Sequence, residues 1–200
     1  VRLDILEHGQ RLRARFLFGL ARAVTRKGPD QVAMTSMYRP AFFGRPWIAL
    51  LREVMRGPSE WSPGERELFG AFVSKLNRSQ YCIGIHTGTA TIGLGRPVTV
   101  EMLDGWRDGS FGARLTPAFA LLERISTDPA HVTRQDIDAA RAAGLSDGAI
   151  IDALYVAFVF DLVNRLANAF GYAWETEGER LMLARTLDRI GYRVPGFLLR

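Results

Sequence analysis

An all-α, single-domain fold of about seven to nine helices, built around a central antiparallel helix pair, is predicted by three observations in the 200-residue chain. Apolar residues recur at three- and four-residue spacing through most of the sequence. No run alternates with period two long enough to demand a strand, and Ser or Thr followed by Pro or an acid precedes several of the periodic runs. Composition agrees: 48% hydrophobic and 24% charged residues, with 20 Gly and 9 Pro, exclude disordered, collagen-like and coiled-coil classes. No spacing repeats convincingly, so a solenoid is not expected, and one domain spans 1–200.

In chain order, Ile5 to Thr25 reads as a first amphipathic helix, followed by a long connection punctuated by Gly28, Pro29, Pro40, Gly44 and Pro46. Helical spacing resumes from Trp47 to Met55. Ser62, Pro63 and Glu65 then supply an N-cap, a first-position proline and the acid of a capping box, ahead of the apolar face Leu68, Phe69, Phe72, Val73 and Leu76. Asn77 to Ser79 breaks that helix, and Gln80 to Ile92 forms the next, closed around Gly93 and Gly95 and stopped by Pro97. Shorter helices are expected after Thr99, after Thr116 with Pro117, and after Thr133 with Asp136. Ser146 opens the longest apolar run, so a core helix is expected over 146–171. Thr176 and Glu179 begin the last helix, and 191–200, with Pro195 and Gly196, reads as an extended arm.

The net charge of +5 is uneven: residues 1–45 carry nine Lys or Arg against three acids, the rest seventeen against eighteen. Arg11, Arg13, Arg15, Arg22 and Arg26 alternate with Leu12, Phe16, Leu17, Leu20 and Val24, which predicts a solvated helix face before a nucleic-acid or membrane arm. Trp47, Trp61, Trp106 and Trp174 are scattered, unlike a base-stacking platform, and no glycine run matches a phosphate loop. His8 and His131 read as surface or capping residues, and Gly109, Phe111 and Gly112 as a connection bordering a cleft. No stretch approaches 18 apolar residues and one cysteine excludes an internal disulfide, so a cytoplasmic protein is expected, with neither membrane nor nucleic acid as partner.

One constellation carries chemistry. Cys82 and His86 are four apart on one predicted helix, which places a thiol beside a base on the same face. Glu67 on the preceding helix reaches the same cleft if the two helices form a hairpin. With Ser79 as N-cap, Cys82 is the third helical residue, near orphan backbone donors that favour thiolate. Cys82 would then be the nucleophile, His86 the proton carrier, Glu67 the group that orients His86, and Ser79 a donor to the sulfur. The bland alternatives are a buried thiol, a capping imidazole and a first-turn acid that complements the helix dipole. A zinc site from Glu67, Cys82 and His86 is a further alternative.

The stretch Glu67 to His86, ELFGAFVSKLNRSQYCIGIH, resembles the core motif of the alkylhydroperoxidase D-like, carboxymuconolactone decarboxylase superfamily, most of all its peroxidase-related members. Glu67 falls on the family's glutamate, Cys82 on the second cysteine of its Cys-x-x-Cys and His86 on its histidine, whereas Ser79 replaces the first cysteine. Tyr81 stands where a relay histidine is often found, and Asp152 to Gly171, with Asn164 and Arg165, resembles the family's second core helix. The core motif thus spans 62–95. The resemblance implies a homo-oligomer, trimer or hexamer, with a dimer as the smaller alternative. It also implies a thiol-dependent peroxidase that reduces hydroperoxides through Cys82 alone, Ser79 being unable to resolve the sulfenic acid, so an external thiol reductant is needed. A second expectation is a decarboxylase-like or lactone-transforming acid/base enzyme using His86 and Glu67, with Arg45, Arg78 or Arg165 as anion site. A third is a non-catalytic helical oligomer in which Asp161 and Arg165 form an intrahelical ion pair. No cofactor and no metal are expected.

Overall fold

A computed structural model describes residues 1–25 and 30–193. Arg26, the Gly28 and Pro29 punctuation, and residues 194–200 of the expected arm lie outside them. All regular structure among the described residues is helical. The expected first helix is two: α1 (Ile5–His8) and α2 (Leu12–Thr25). Gln10 separates them, its buried Nε2 donating to Leu6 O (2.6 Å) and to Met34 O (2.9 Å), so the side chain ends α1 and ties it to α3 (Gln31–Tyr38). The amphipathic reading of α2 is met in part. Leu17 and Phe18 face inward over a cavity, while Leu12 and Phe16 remain exposed.

Within the long connection expected from Gly28 to Pro46, most of the described residues are also helical. Asp30 caps α3 through Oδ1, which accepts from Val32 N (2.9 Å) and Ala33 N (3.2 Å). A π-helical turn, Pro40–Gly44, then feeds α4 (Arg45–Arg56). Next comes α5 (Pro63–Leu76), with its capping box formed as expected: Ser62 Oγ accepts from Glu65 N (3.2 Å), and Glu65 Oε2 accepts from Ser62 N (2.7 Å). Arg78, at φ 54°, turns the chain in the left-handed region, and Ser79 N donates back to Ser74 O (2.9 Å), which closes α5 and starts α6 (Gln80–Leu94).

α5 and α6 form the central antiparallel pair. At its open end Gly64 and Gly93 meet backbone to backbone; a Cβ on Gly64 would lie 2.6 Å from Gly93 C. α7 (Val100–Asp104) follows Thr99 as expected. α8 (Leu115–Thr127) starts before its expected cap, because Thr116 Oγ1 donates to Gly112 O (3.1 Å) from inside the first turn. α9 (Arg134–Ala142) is held at its start by Asp136 Oδ2, which accepts from Thr133 N (2.7 Å) and from the Thr133 hydroxyl (2.8 Å). α10 (Asp147–Phe170) is the expected core helix, and α11 (Glu177–Ile190) packs along α6.

Eleven α-helical segments among the described residues exceed the seven to nine expected, the surplus being short segments around α1 to α3. The main core lies where α5, α8 and α10 meet, with Trp61, Phe69, Phe72, Trp106 and Phe119 stacked edge to face or tilted. Phe111 belongs to this core, 5.1 Å from Phe119 between ring centroids, rather than to a cleft. Asp161 and Arg165 do not form the expected ion pair. Asp161 accepts from Asn77 Nδ2 (2.6 Å) and Ser126 Oγ (3.3 Å), while Arg165 reaches only the Asp161 carbonyl (3.4 Å). His131 contacts Asp128 at the surface, and His8 is exposed, as expected. No helix among the described residues is long and apolar enough to cross a membrane.

Candidate functional site

Helix pairing brings Glu67 of α5 against His86 of α6. Glu67 is fully buried, and its Oε2 lies 2.6 Å from His86 Nδ1. The other carboxylate oxygen, Oε1, accepts from Arg56 Nη2 (2.6 Å) and from the Tyr192 hydroxyl (3.2 Å). Arg56 stands at the end of α4, and that end is fixed by Arg66, whose buried Nη1 donates to Val54 O and Gly57 O at 3.0 Å. Tyr192 follows Gly191 in a left-handed turn, φ 63° and 54°, that folds the chain back after α11 and inserts the phenol beneath the carboxylate. The Arg56 guanidinium lies over the Tyr192 ring, 5.0 Å from its centroid.

The electrostatics follow from this packing. Burial pushes the Glu67 carboxyl up, but the hydrogen bond and charge of His86 and the Arg56 guanidinium outweigh it and hold the group below its usual range. Glu67 is therefore an anion flanked by Arg56 and His86. The imidazole is steadied on its other side by Phe160, edge to face at 4.6 Å. Gly70 makes room for that ring; a Cβ there would fall 2.3 Å from Phe160 Cζ.

Cys82 and Tyr81 sit in a second environment. Ser79 is the N-cap of α6 and Cys82 its third residue, as expected. Burial nonetheless raises the thiol to about 11; the Ser79 hydroxyl pulls against that rise without reversing it, and Asp30 adds to it. Ser79 Oγ is buried without a hydrogen bond of ordinary geometry among the described residues. No hydrogen bond joins Cys82 to His86 among the described residues. The expected thiolate beside an imidazole is replaced by a neutral thiol among Tyr81, Ile85, Ala167 and Tyr172. Tyr81 donates to Asp30 Oδ2 (2.5 Å), so its phenol is committed there, and burial with the Asp30 charge holds it well above the usual tyrosine range.

A cavity of about 660 Å³ runs between these two environments. His86, Cys82, Tyr81 and Asp30 line it together with apolar side chains of α2, α3, α4, α10 and α11. Arg45, Arg78 and Arg165, the expected anion-binding candidates, are absent from its described lining. No group of three or more His, Cys, Asp or Glu side chains among the described residues could hold a metal ion, so Glu67, Cys82 and His86 do not form the zinc site weighed above.

Sequence reasoning picked out Glu67, His86, Cys82, Ser79 and Tyr81, and missed Arg56, Tyr192 and Asp30. Arg56 could have been found as the lone base ending the strongly amphipathic α4. Tyr192 carries no such signal, since its place depends on a left-handed turn after a glycine.

Known proteins match this chain in fold. A peroxidase-related protein of Silicibacter sp. TM1040, itself uncharacterized, superposes with a TM-score of 0.72 at 23% identity, over 90% of this chain and 95% of that one. An uncharacterized peroxidase-related protein of Ralstonia eutropha JMP134, described as an alkylhydroperoxidase AhpD core, gives a TM-score of 0.71 at 21% identity, over 92% and 96%. No family model and no curated protein matches the sequence.

Proposed function

We propose that this chain is an acid/base enzyme in which His86 carries a proton to and from a carbon next to a carbonyl group. The 2.6 Å contact between His86 Nδ1 and the buried Glu67 carboxylate carries this reading. An ionised carboxylate accepts from Nδ1–H, which fixes the tautomer with its lone pair on Nε2. Nε2 is then the ring nitrogen available to the cavity that His86 lines. When it takes a proton, the imidazolium is stabilised by Glu67, and Arg56 and Tyr192 keep that carboxylate in place. Glu67 is thus a positioning residue and His86 the catalytic one.

One further observation supports proton transfer over peroxide reduction. A thiol at about 11 is almost wholly protonated at neutral pH, and the thiolate is the nucleophilic form. The peroxidase-related relatives share the fold at under 25% identity, which leaves the chemistry to the residues of this site. Since no arginine lines the described cavity wall, the substrate class narrows from carboxylates to neutral carbonyl compounds such as enol lactones. In these, His86 removes the proton from the carbon beside the carbonyl. The electron pair enters the conjugated system, and the proton returns at the far carbon, shifting the double bond with no net redox change.

Isomerisation of alkyl-substituted enol lactones in deuterated water tests this. The parent protein should speed the double-bond shift and place deuterium at the receiving carbon. His86→Gln should lose about a hundredfold or more, the usual worth of a positioned general base. Cys82→Ser should stay within about threefold, because its thiol takes no part. No rate above buffer, or a Cys82→Ser loss as large as that of His86→Gln, would overturn the reading. Consumption of alkyl hydroperoxide that depends on Cys82 would establish the peroxidase instead.

A further inference from the structure

The cavity beside His86 has a chemical character of its own. Its walls come from six helices, and apolar side chains such as Leu51, Ile85, Val163, Leu183 and Leu187 dominate them. At about 660 Å³ it is within the roughly 300–1,000 Å³ common for sites that enclose a small organic ligand. Water is a poor filler for such a space, because each buried water needs two to four polar partners.

Two polar groups of this lining have no hydrogen-bond partner among the described residues. Trp47 is 4% exposed and its indole Nε1–H makes no hydrogen bond; Ser36 is 3% exposed and its Oγ makes none either. Both residues line the cavity. Other polar groups there are engaged: Asp30 accepts from Val32 N, Ala33 N and the Tyr81 hydroxyl, the Tyr192 hydroxyl donates to Glu67, and His86 Nδ1 is held by Glu67. A buried donor that gave up its water is unfavourable unless something accepts from it, and two in the lining of a ligand-sized cavity mark where an acceptor belongs.

We propose that this cavity binds an uncharged lipophilic molecule carrying one carbonyl-type oxygen, with Trp47 Nε1–H and the Ser36 hydroxyl donating to that oxygen. The inference deepens the proton-transfer reading and rests on it for the choice of a carbonyl. The carbonyl oxygen lies at Ser36 of α3 and Trp47 of α4, and the alkyl chain fills the rest of the apolar cavity, which His86 also lines. A carboxylate is disfavoured because the described lining carries no Lys or Arg to balance it, while Asp30 presents a carboxyl there. Leu20 and Ile190, 53% and 39% exposed, form the rim through which such a molecule passes.

Partitioning of 2-octanone and n-octane from the headspace into solutions of the full chain measures this without turnover, and octanoate competition is read in the same assay. Saturable uptake of 2-octanone is expected, at least tenfold tighter than n-octane, with octanoate a weak competitor at neutral pH. Ser36→Ala and Trp47→Phe should each weaken 2-octanone about threefold to tenfold, as the loss of one hydrogen bond does, and leave n-octane unchanged. Should Trp47→Phe not fold, Ser36→Ala alone decides. No saturable uptake, equal affinity for octane and octanone, or octanoate displacing as strongly as the ketone would overturn the assignment. Octanone binding without lactone isomerisation would uphold the cavity's ligand class and remove the proton-transfer reading instead.

Discussion

Cys82 and Glu67 show how two buried ionisable groups part ways according to what faces them. Glu67 meets a guanidinium, a phenol and an imidazole, so ionisation is favoured despite burial. Cys82 meets apolar rings and one hydroxyl, so ionisation is opposed. Alkylation of Cys82 by iodoacetamide is therefore expected to be slow, to rise with pH toward about 11, and to keep the same profile in His86→Ala. Relative to a free thiol near 8.5, the thiolate at pH 7 falls by a factor of a hundred or more. A profile centred below pH 8 that moves in His86→Ala would restore the activated-cysteine expectation.

Glu67 gives the opposite dependence. Its carboxyl is held below the unfolded value, so its stabilisation is complete above that value and is lost as pH falls through the lower, folded one. Glu67→Gln leaves Arg56 facing a neutral group, at a cost of about 3 kcal/mol near pH 7, the low end for a broken buried pair because Arg56 keeps some contact with water. Denaturant midpoints of parent and variant should converge in acid, below the ordinary glutamate range. A gap that stays constant from neutral pH to strong acid would contradict the ionised state of Glu67. The Glu67 and His86 pair was legible in sequence because each residue sits one helix from a shared turn. The state of Cys82 was not: its neighbours Ala167 and Tyr172 come from far along the chain, so helix position alone overstated its acidity.

At the scale of elements, caps were the most legible feature, because a Ser or Thr cap and its partner acid lie within four residues. Ser62 and Glu65 form their box as expected, and Ser62→Ala should lower stability by about 1 kcal/mol. Helix α3 is hard to read because its cap, Asp30, directly follows a proline, a pairing that signals a connection. The packing of helices on one another is less legible, since a glycine on an apolar face gives no hint of its neighbour. Gly70 is such a case: a methyl group there collides with Phe160, the ring that steadies His86. Gly70→Ala is expected to cost about 1–3 kcal/mol in thermal or denaturant unfolding, and to reduce the lactone isomerisation rate as well. Unchanged stability would mean that α5 and α10 do not approach as closely as described.

The molecule as a whole combines an aromatic core, where α5, α8 and α10 meet, with a cavity that shares Trp47, Leu51, Phe160 and Tyr192 with that core. The helical class and the long core helix could be read from periodicity, since both depend on neighbours in sequence. The cavity could not, because its wall gathers residues from Leu17 to Tyr192 and depends on how six helices leave space among themselves. The basic N-terminal region also changes meaning at this scale, for α2 lends Leu17 and Phe18 to the cavity while its exposed face carries arginines. The proposed chemistry needs both, with Glu67 of α5 holding the imidazole and the cavity delivering the carbon acid.

Nitrogen-15 and proton NMR of the His86 ring, in the parent and in Glu67→Gln, reads that arrangement directly. A neutral imidazole protonated at Nδ1, with a strongly deshielded Nδ1–H resonance that is lost in Glu67→Gln and an Nε2 shift that responds to added 2-octanone, is the predicted result. A ring protonated at Nε2 in its neutral form, with the same spectrum in both proteins, would contradict it.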